Sequence, residues 1–121
     1  MRVAGLFSRL LGLFGVRVVG IDVVCEDGED VVVIDVARRK NRRMFCSGCD
    51  QRCRAIYDRG VRSWRHLDVF RVRCRIRCEV RRVVCPRCGV TAESVPWARV
   101  GSRSTRAFED SVVWLARAAP A

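Results

Sequence analysis

The chain has 121 residues and a formal net charge of +11, from 24 basic and 13 acidic residues. That length suits one small domain, and no apolar run in it is long enough to span a membrane. The positive charge is concentrated in residues 38–87, which hold 17 basic and four acidic residues, so +13. A basic segment of this kind favours a polyanionic partner such as nucleic acid over an ordinary solvated surface.

Residues 1–15 are apolar and glycine-rich, but Arg9 interrupts the run and no clear small-residue cleavage site follows. The pattern argues against an export signal and predicts a short amphipathic helix that packs on the fold or on a partner. The protein is therefore expected in the cytoplasm. In that reducing compartment, paired cysteines indicate metal ligands more often than disulfides.

Residues 16–100 form the predicted main domain, which begins with a β-hairpin. Val16–Cys25 and Val31–Ala37 are rich in β-branched residues, and an Asp-Gly turn signal separates them. Arg38–Arg43 is predicted as a basic strand end or loop. Further on, Tyr57–Gly60 is predicted as a turn because its residue types are turn formers.

The clearest periodicity lies between Phe70 and Arg81, where apolar and charged residues alternate. Successive side chains of a strand point to opposite faces, so this segment predicts a strand with one apolar and one arginine face. Arginines on that face would lie roughly 6.5–7 Å apart, comparable to phosphates along one nucleic-acid strand. Nine side chains are the predicted phosphate contacts: Arg38, Arg39, Lys40, Arg42, Arg43, Arg71, Arg73, Arg75 and Arg77.

Residues 101–121 predict a loop and a C-terminal helix that runs from about Thr105 to Ala118. Helical spacing places four residues on one apolar face: Phe108, Val112, Leu115 and Ala119. This segment would begin the connection to a further domain.

Two Cys-x-x-Cys pairs, with 35 residues between them, are each followed by a turn-forming residue, Asp50 or Gly89. Paired motifs of this type predict two tight turns that present four thiolates to one structural zinc ion. The predicted ligands are Cys46, Cys49, Cys85 and Cys88. Cys53 is the first alternative ligand, and His66 is a less favoured one.

The remaining cysteines have apolar interpretations. Cys74 and Cys78 lie on the apolar face of the long strand, and Cys25 is expected in the core. No pair of carboxylates, Ser–His–Asp set or phosphate-cradling glycine loop stands out in the sequence, so no enzymatic activity is predicted. The predicted fold class is α+β, a small zinc-ribbon-like β domain flanked by two helices.

Several motifs resemble those of one bacterial family. In order they are CSGC, YDRG, WRHLD, an arginine-rich strand, CPRCGV, VPWAR and the STRAFED helix start. Together they resemble the N-terminal part of ISL-three-type insertion-sequence transposases, over about residues 3–118. The resemblance implies a zinc-binding domain that helps to engage the terminal inverted repeats of the element.

This chain departs from the family pattern in two ways. Many relatives have Cys-x-x-His in the second pair, where this chain has Cys88. Family members also continue into a helix-turn-helix segment and a DDE catalytic domain, which implies transposase origin without transposase activity for this chain. The alternatives are a zinc-stabilised protein-interaction module, docking on the catalytic region or another protomer, and a non-functional truncated remnant.

Overall fold

The computed structural model describes residues 16–38, 43–69 and 71–119, so the N-terminal helix predicted for residues 1–15 lies outside the described residues. The described architecture is mostly β, with one helix near its C-terminal side. In chain order its elements are β1 (Val16–Glu26), β2 (Glu29–Arg38), β3 (Met44–Phe45), β4 (Arg52–Cys53), β5 (Ala55–Val69), β6 (Val72–Cys85), β7 (Gly89–Ala92) and α1 (Arg106–Ala118).

One five-stranded sheet carries the fold, in the order β1–β2–β6–β5, with β7 also paired to β6. β1 and β2 form the predicted antiparallel hairpin, and both Asp27 and Gly28 in its turn have left-handed backbone. β2 runs parallel to β6, whereas β5 and β7 run antiparallel to it. Because a strand has only two edges, β5 occupies one edge of β6, and β2 and β7 share the other.

The predicted alternation is present in β6. Four alternate positions are buried, with at most 4% of each residue exposed: Cys74, Ile76, Cys78 and Val80.

The prediction that Arg71 belongs to this strand is wrong. Arg71 has a φ of 69° in the turn between β5 and β6, where Val69 and Val72 pair directly. Phe70, the predicted first apolar residue of the strand, lies outside the described residues.

The turn predicted at Tyr57–Gly60 is absent, because β5 continues through these residues. Its register with β6 shifts between Ile56 and Asp58, so Tyr57 is the extra residue of a β-bulge. The Arg82 guanidinium bonds Asp58 and lies 5.2 Å from the centroid of the Tyr57 ring. Residue types that favour turns therefore mark an irregularity here, while pairing with β6 keeps the chain extended.

The main core contains the two tryptophans of the WRHLD and VPWAR segments. Trp64 and Trp97 meet edge to face, with 5.4 Å between ring centroids and 88° between planes. Such a pair contributes about 0.5–1.5 kcal/mol beyond the burial of its area. Apolar side chains from β1, β2 and β6 complete this core, including Val16, Val18, Ile34, Val36 and Ile76.

A second and smaller core lies at the tips of the β3–β4 and β6–β7 hairpins, a region called the cysteine end below. Its buried members are Cys46, Cys53, Val83 and Cys85. So few apolar side chains bury little area, and small folds of this kind usually need a metal or a disulfide.

The predicted C-terminal helix is present as α1. Thr105 caps it by accepting a hydrogen bond from the Phe108 amide at 3.2 Å. The segment before the helix is tied to β5, because the Thr105 amide donates to the Arg65 carbonyl and the Arg65 amide donates to the Arg103 carbonyl, both at 2.8 Å. Within the described ranges, no helix has both the length and the apolar content needed to cross a bilayer.

Candidate metal centre and basic surface

Two β-hairpins bring the cysteine pairs together. One pair lies in the turn between β3 and β4, and the other in the turn between β6 and β7. All four sulfur atoms lie within 4.8 Å of one another: Cys46, Cys49, Cys85 and Cys88. A tetrahedron with metal–sulfur bonds of about 2.3 Å has edges of about 3.8 Å. The Cys49 and Cys85 sulfurs are 3.6 Å apart, so the group could hold one metal ion with little movement.

Local backbone geometry explains why these turns direct their sulfurs inward. The Asp50 amide donates to the Cys46 carbonyl at 2.9 Å, which closes the first turn. Asp50 and Gly89 both have left-handed backbone, as expected of the turn formers that follow each pair. A Cβ atom at Gly48 would lie only 3.3 Å from the Cys88 sulfur, so a larger residue there would crowd the site.

Hydrogen bonds shift the thiol pKa values of Cys85 and Cys88 in opposite directions. The amides of Cys88 and Arg87 donate toward the Cys85 sulfur and lower the pKa of that thiol to about 6. Hydrogen bonding of the Cys88 thiol with Cys49 and Cys46 raises the pKa of Cys88 to about 12. Cys85 is therefore the thiolate already favoured before a cation binds, and a bound cation would displace the remaining protons.

Cys53, the alternative ligand, is buried beside the site but lies outside the four-sulfur group. Its thiol donates to the Gln51 carbonyl at 3.5 Å, and burial raises its pKa. Cys74 and Cys78 are buried on the apolar face of β6, as predicted. The prediction that Cys25 belongs to the core is wrong, because Cys25 is exposed near the end of the edge strand β1.

His66 is a buried residue that connects two elements of the fold. Its ring is buried, and its Nδ1 lies 2.7 Å from the hydroxyl oxygen of Thr105, which is itself fully buried. This contact joins β5 to the cap of α1, on the side of the fold that carries Trp64. His66 is not in the four-sulfur group.

The arginine face of β6 meets acidic side chains from the β1–β2 hairpin. Arg77 and Asp35 are register partners on the parallel strands β6 and β2, and their side chains form two hydrogen bonds of 2.5 and 2.9 Å. The hydrogen bond from Arg77 lowers the pKa of Asp35 below its ordinary value. Arg75 pairs with Glu26, and Arg73 lies 3.9 Å from Glu29.

The predicted basic loop gives little further information. Arg39, Lys40 and Arg42 lie outside the described residues, and Arg43 is exposed. Arg38 ends β2, and its guanidinium forms a salt bridge with Glu93. Only 15% of the Arg38 side chain is exposed, which makes it a poor partner for an incoming phosphate.

The chain was also compared with known proteins, and no family model and no solved structure matches it. It is similar to a transposase. Two curated relatives are each the transposase for insertion sequence element IS1557, from Mycobacterium tuberculosis strains CDC 1551 / Oshkosh and ATCC 25618 / H37Rv. Each is 39% identical over 122 residues, which cover 96% of this chain and 27% of the relative. The chain thus spans about a quarter of the length of these relatives.

Glu93 is a buried charge that the sequence analysis missed. It accepts hydrogen bonds from the backbone amide and guanidinium of Arg81 at 2.8 Å, in addition to its pairing with Arg38. Burial alone would raise the pKa of Glu93, but hydrogen bonds from Arg81 and Arg38 outweigh it and hold the pKa below its ordinary value. The backbones of Cys46 and Glu93 form an isolated antiparallel β-bridge, so this group of charged side chains adjoins the cysteine end.

Proposed function

We propose that the chain is a zinc-dependent DNA-binding module of an insertion-sequence transposase. Its partner would be the terminal inverted-repeat DNA of the element, engaged during transposition. The observation that carries the proposal is the 39% identity to a transposase across 96% of the chain. The ISL-three-type relationship belongs to the same proposal, as does a cytoplasmic location.

Zinc is the metal that best suits the donor set. Four cysteine sulfurs in a closed group favour a tetrahedral structural site, and thiolates are poor ligands for magnesium or calcium. Cys46, Cys49, Cys85 and Cys88 would each supply one sulfur. The ion would add stability to the small core of the cysteine end and would take no part in a reaction.

DNA is supported as the partner by the charge of residues 38–87. Arginine suits this role because its guanidinium can form two parallel hydrogen bonds with a phosphate. Contacts to phosphates position a protein on the duplex but read little sequence. In this proposal the chain contributes binding, and the family's DDE domain contributes strand transfer.

The test is the affinity of the zinc-loaded chain for a duplex that carries an inverted repeat, measured by fluorescence anisotropy at several salt concentrations. The logarithm of affinity should fall steeply and linearly with the logarithm of salt concentration. Changing Arg73 and Arg75 together to alanine should weaken binding to all sequences similarly. A salt-independent affinity, or no binding, would contradict the proposal.

A second candidate is a protein-interaction module, and one observation favours it. α1 has no buried residue and exposes four consecutive apolar side chains, each at least 49% exposed: Val112, Val113, Trp114 and Leu115. Exposed apolar surface of this kind suits a docking partner. Sedimentation of the purified chain tests this candidate: a monomer at high concentration argues against self-association through α1.

A further inference from the structure

A cleft of about 470 Å³ opens beside the β5–β6 pair, and we call it the arginine cleft. This volume lies within the range of small-ligand pockets, about 300–1,000 Å³. Five arginines and one carboxylate line it, together with Val31 and Ser63: Arg62, Arg65, Arg73, Arg75, Arg103 and Glu26. Three of the arginines, Arg62, Arg65 and Arg103, come from outside the predicted arginine strand.

Sheet register explains how residues distant in sequence reach one cleft. Arg65 of β5 and Arg75 of β6 are direct cross-strand partners, and Arg73 lies two residues before Arg75. Cross-strand partners share a face, so these side chains lie together. Arg103 lies in the loop before α1, and its carbonyl accepts a hydrogen bond from the Arg65 amide at 2.8 Å, which holds this loop against β5. The cleft is therefore built on paired strands and a tethered loop.

The charges of the cleft are incompletely neutralised. Glu26 forms a salt bridge with Arg75, and the Arg65 guanidinium donates a hydrogen bond to Asp68 at 2.7 Å. Within residues 16–38, 43–69 and 71–119, neither Arg62 nor Arg103 forms a salt bridge; Arg62 only lies over Trp64, 5.4 Å from the ring centroid. Arg73 also has the Glu29 carboxylate 3.9 Å away, so three of the five guanidinium groups have a carboxylate partner and two do not.

Two of the residues that line the cleft also have a buried donor without an acceptor. The Nη1 atom of Arg65 and the Nε atom of Arg75 are buried and have no hydrogen-bond partner in the described part of the chain. A buried N–H that has lost water without gaining an acceptor is unfavourable, so the hydrogen-bonding capacity of these two guanidinium groups is incompletely used.

We propose that the arginine cleft is a phosphate-binding site and that its ligand is the phosphodiester backbone of nucleic acid. This inference rests on the proposed DNA-binding function and locates its principal backbone contact. Arg77 is held by Asp35, and Arg38 by Glu93, so these two predicted contacts are less available. Arg62 and Arg103, which were not predicted contacts, line the cleft without a salt-bridge partner in the described part of the chain.

The test compares two double variants that remove the same charge. Arg62→Ala with Arg103→Ala changes the cleft, and Arg52→Ala with Arg54→Ala changes exposed arginines near the cysteine end. Anisotropy with an inverted-repeat duplex should show binding at least about tenfold weaker for the cleft pair. Its salt slope should be shallower by about 1 to 2. The control pair should stay within about threefold of the unchanged chain. Thermal melting verifies that both variants fold.

A second probe separates failure of the cleft from failure of the DNA-binding function. Inorganic pyrophosphate is titrated into the zinc-loaded chain while the arginine Nε–Hε signals are followed by NMR. The signals of Arg65 and Arg75 should shift, and the cleft variant should show weaker shifts. If these signals do not respond, or if both double variants lose DNA affinity equally, the cleft proposal is overturned while DNA binding stands. A pyrophosphate response without DNA binding overturns the nucleic-acid ligand and the proposed function but retains the phosphate site.

Discussion

At one end of β6, Cys85 lies in a turn with Cys88 and faces two more cysteine sulfurs. Ten residues earlier, roughly 33 Å along an extended strand, Arg75 lies beside the acidic β1–β2 hairpin. At the cysteine end, the Cys-x-x-Cys spacing identifies the four cysteines that the two hairpins bring together. At the arginine end, spacing identifies the exposed face, but the partners of that face come from distant segments. The cysteines of one site can thus be identified from local motifs, whereas the partners in the other site can be identified only from the sheet pairing.

This difference has a physical origin. A Cys-x-x-Cys turn fixes two sulfurs within a few residues, so its geometry is nearly independent of the rest of the fold. Whether an arginine on a strand is free or paired depends on the neighbouring strand and its register. For Arg77 the neighbour is β2, which is 42 residues away from it in sequence at Asp35.

The largest expected effect is at the cysteine end. Adding a chelator to the zinc-loaded chain should abolish its cooperative thermal unfolding transition, measured by circular dichroism. Structural zinc contributes about 10–16 kcal/mol in zinc-finger peptides, and small domains are stable by only about 5–15 kcal/mol in total. Metal-free protein that keeps its transition would show that the sulfur group is not needed for folding.

A matched pair of variants sharpens this result. Cys85→Ser removes one of the four grouped sulfurs, whereas Cys53→Ser changes a buried neighbour outside the group. Metal analysis should find one zinc per chain for Cys53→Ser and much less for Cys85→Ser. Equal zinc content in both variants would mean that the ligand set differs from the four proposed cysteines.

The next effect is at Glu93. Glu93→Gln removes the charge that Arg38 and Arg81 share, and breaking a buried ion pair costs about 3–5 kcal/mol. Chemical denaturation of the zinc-loaded variant measures this loss. The control is Glu79→Gln, whose partner Arg59 is 3.4 Å away at an exposed site, and it should change stability far less. Equal losses of unfolding free energy in the two variants would contradict the assignment of Glu93 as buried and Glu79 as exposed.

The same carboxylate predicts a pH dependence. Because the pKa of Glu93 is lowered in the folded chain, its contribution to stability is present above the unfolded pKa of about 4.3. That contribution should be lost as pH falls through the lower folded pKa. The difference in unfolding free energy between the unchanged chain and Glu93→Gln should therefore shrink on acidification below about pH 4. Both proteins are compared only at pH values where metal analysis finds zinc bound, because protonated cysteines release the ion and the transition is then lost.

The smallest effect is at the arginine end. Asp35→Asn removes the carboxylate that holds Arg77, so DNA affinity should rise by about threefold. Asp110→Asn makes the same change of net charge on α1, where Arg99 also contacts Glu109, and should raise affinity less. Equal changes in both variants would indicate that only total charge matters and that Arg77 is not restrained by its partner.

The sequence predicted several elements because their signals are local. The β1–β2 hairpin follows from an Asp-Gly turn, and α1 follows from Thr105 at its cap. It mispredicted β5, since the turn-forming residues around Tyr57 form a bulge that pairing with β6 keeps in the strand. Cys25 was wrongly placed in the core, because a β-branched run does not reveal which strand lies at the edge. The arginine cleft could not be predicted, because it depends on the register of Arg65 with Arg75 and on the tethered loop at Arg103.

The central claim is that zinc holds a fold whose basic surface binds DNA. One measurement tests it most directly: anisotropy of a labelled inverted-repeat duplex with the chain before and after zinc is removed and then restored. The account predicts salt-sensitive binding that is lost with the metal and recovered when zinc returns. Equal binding by the metal-free chain, or no binding by the zinc-loaded chain, would contradict it.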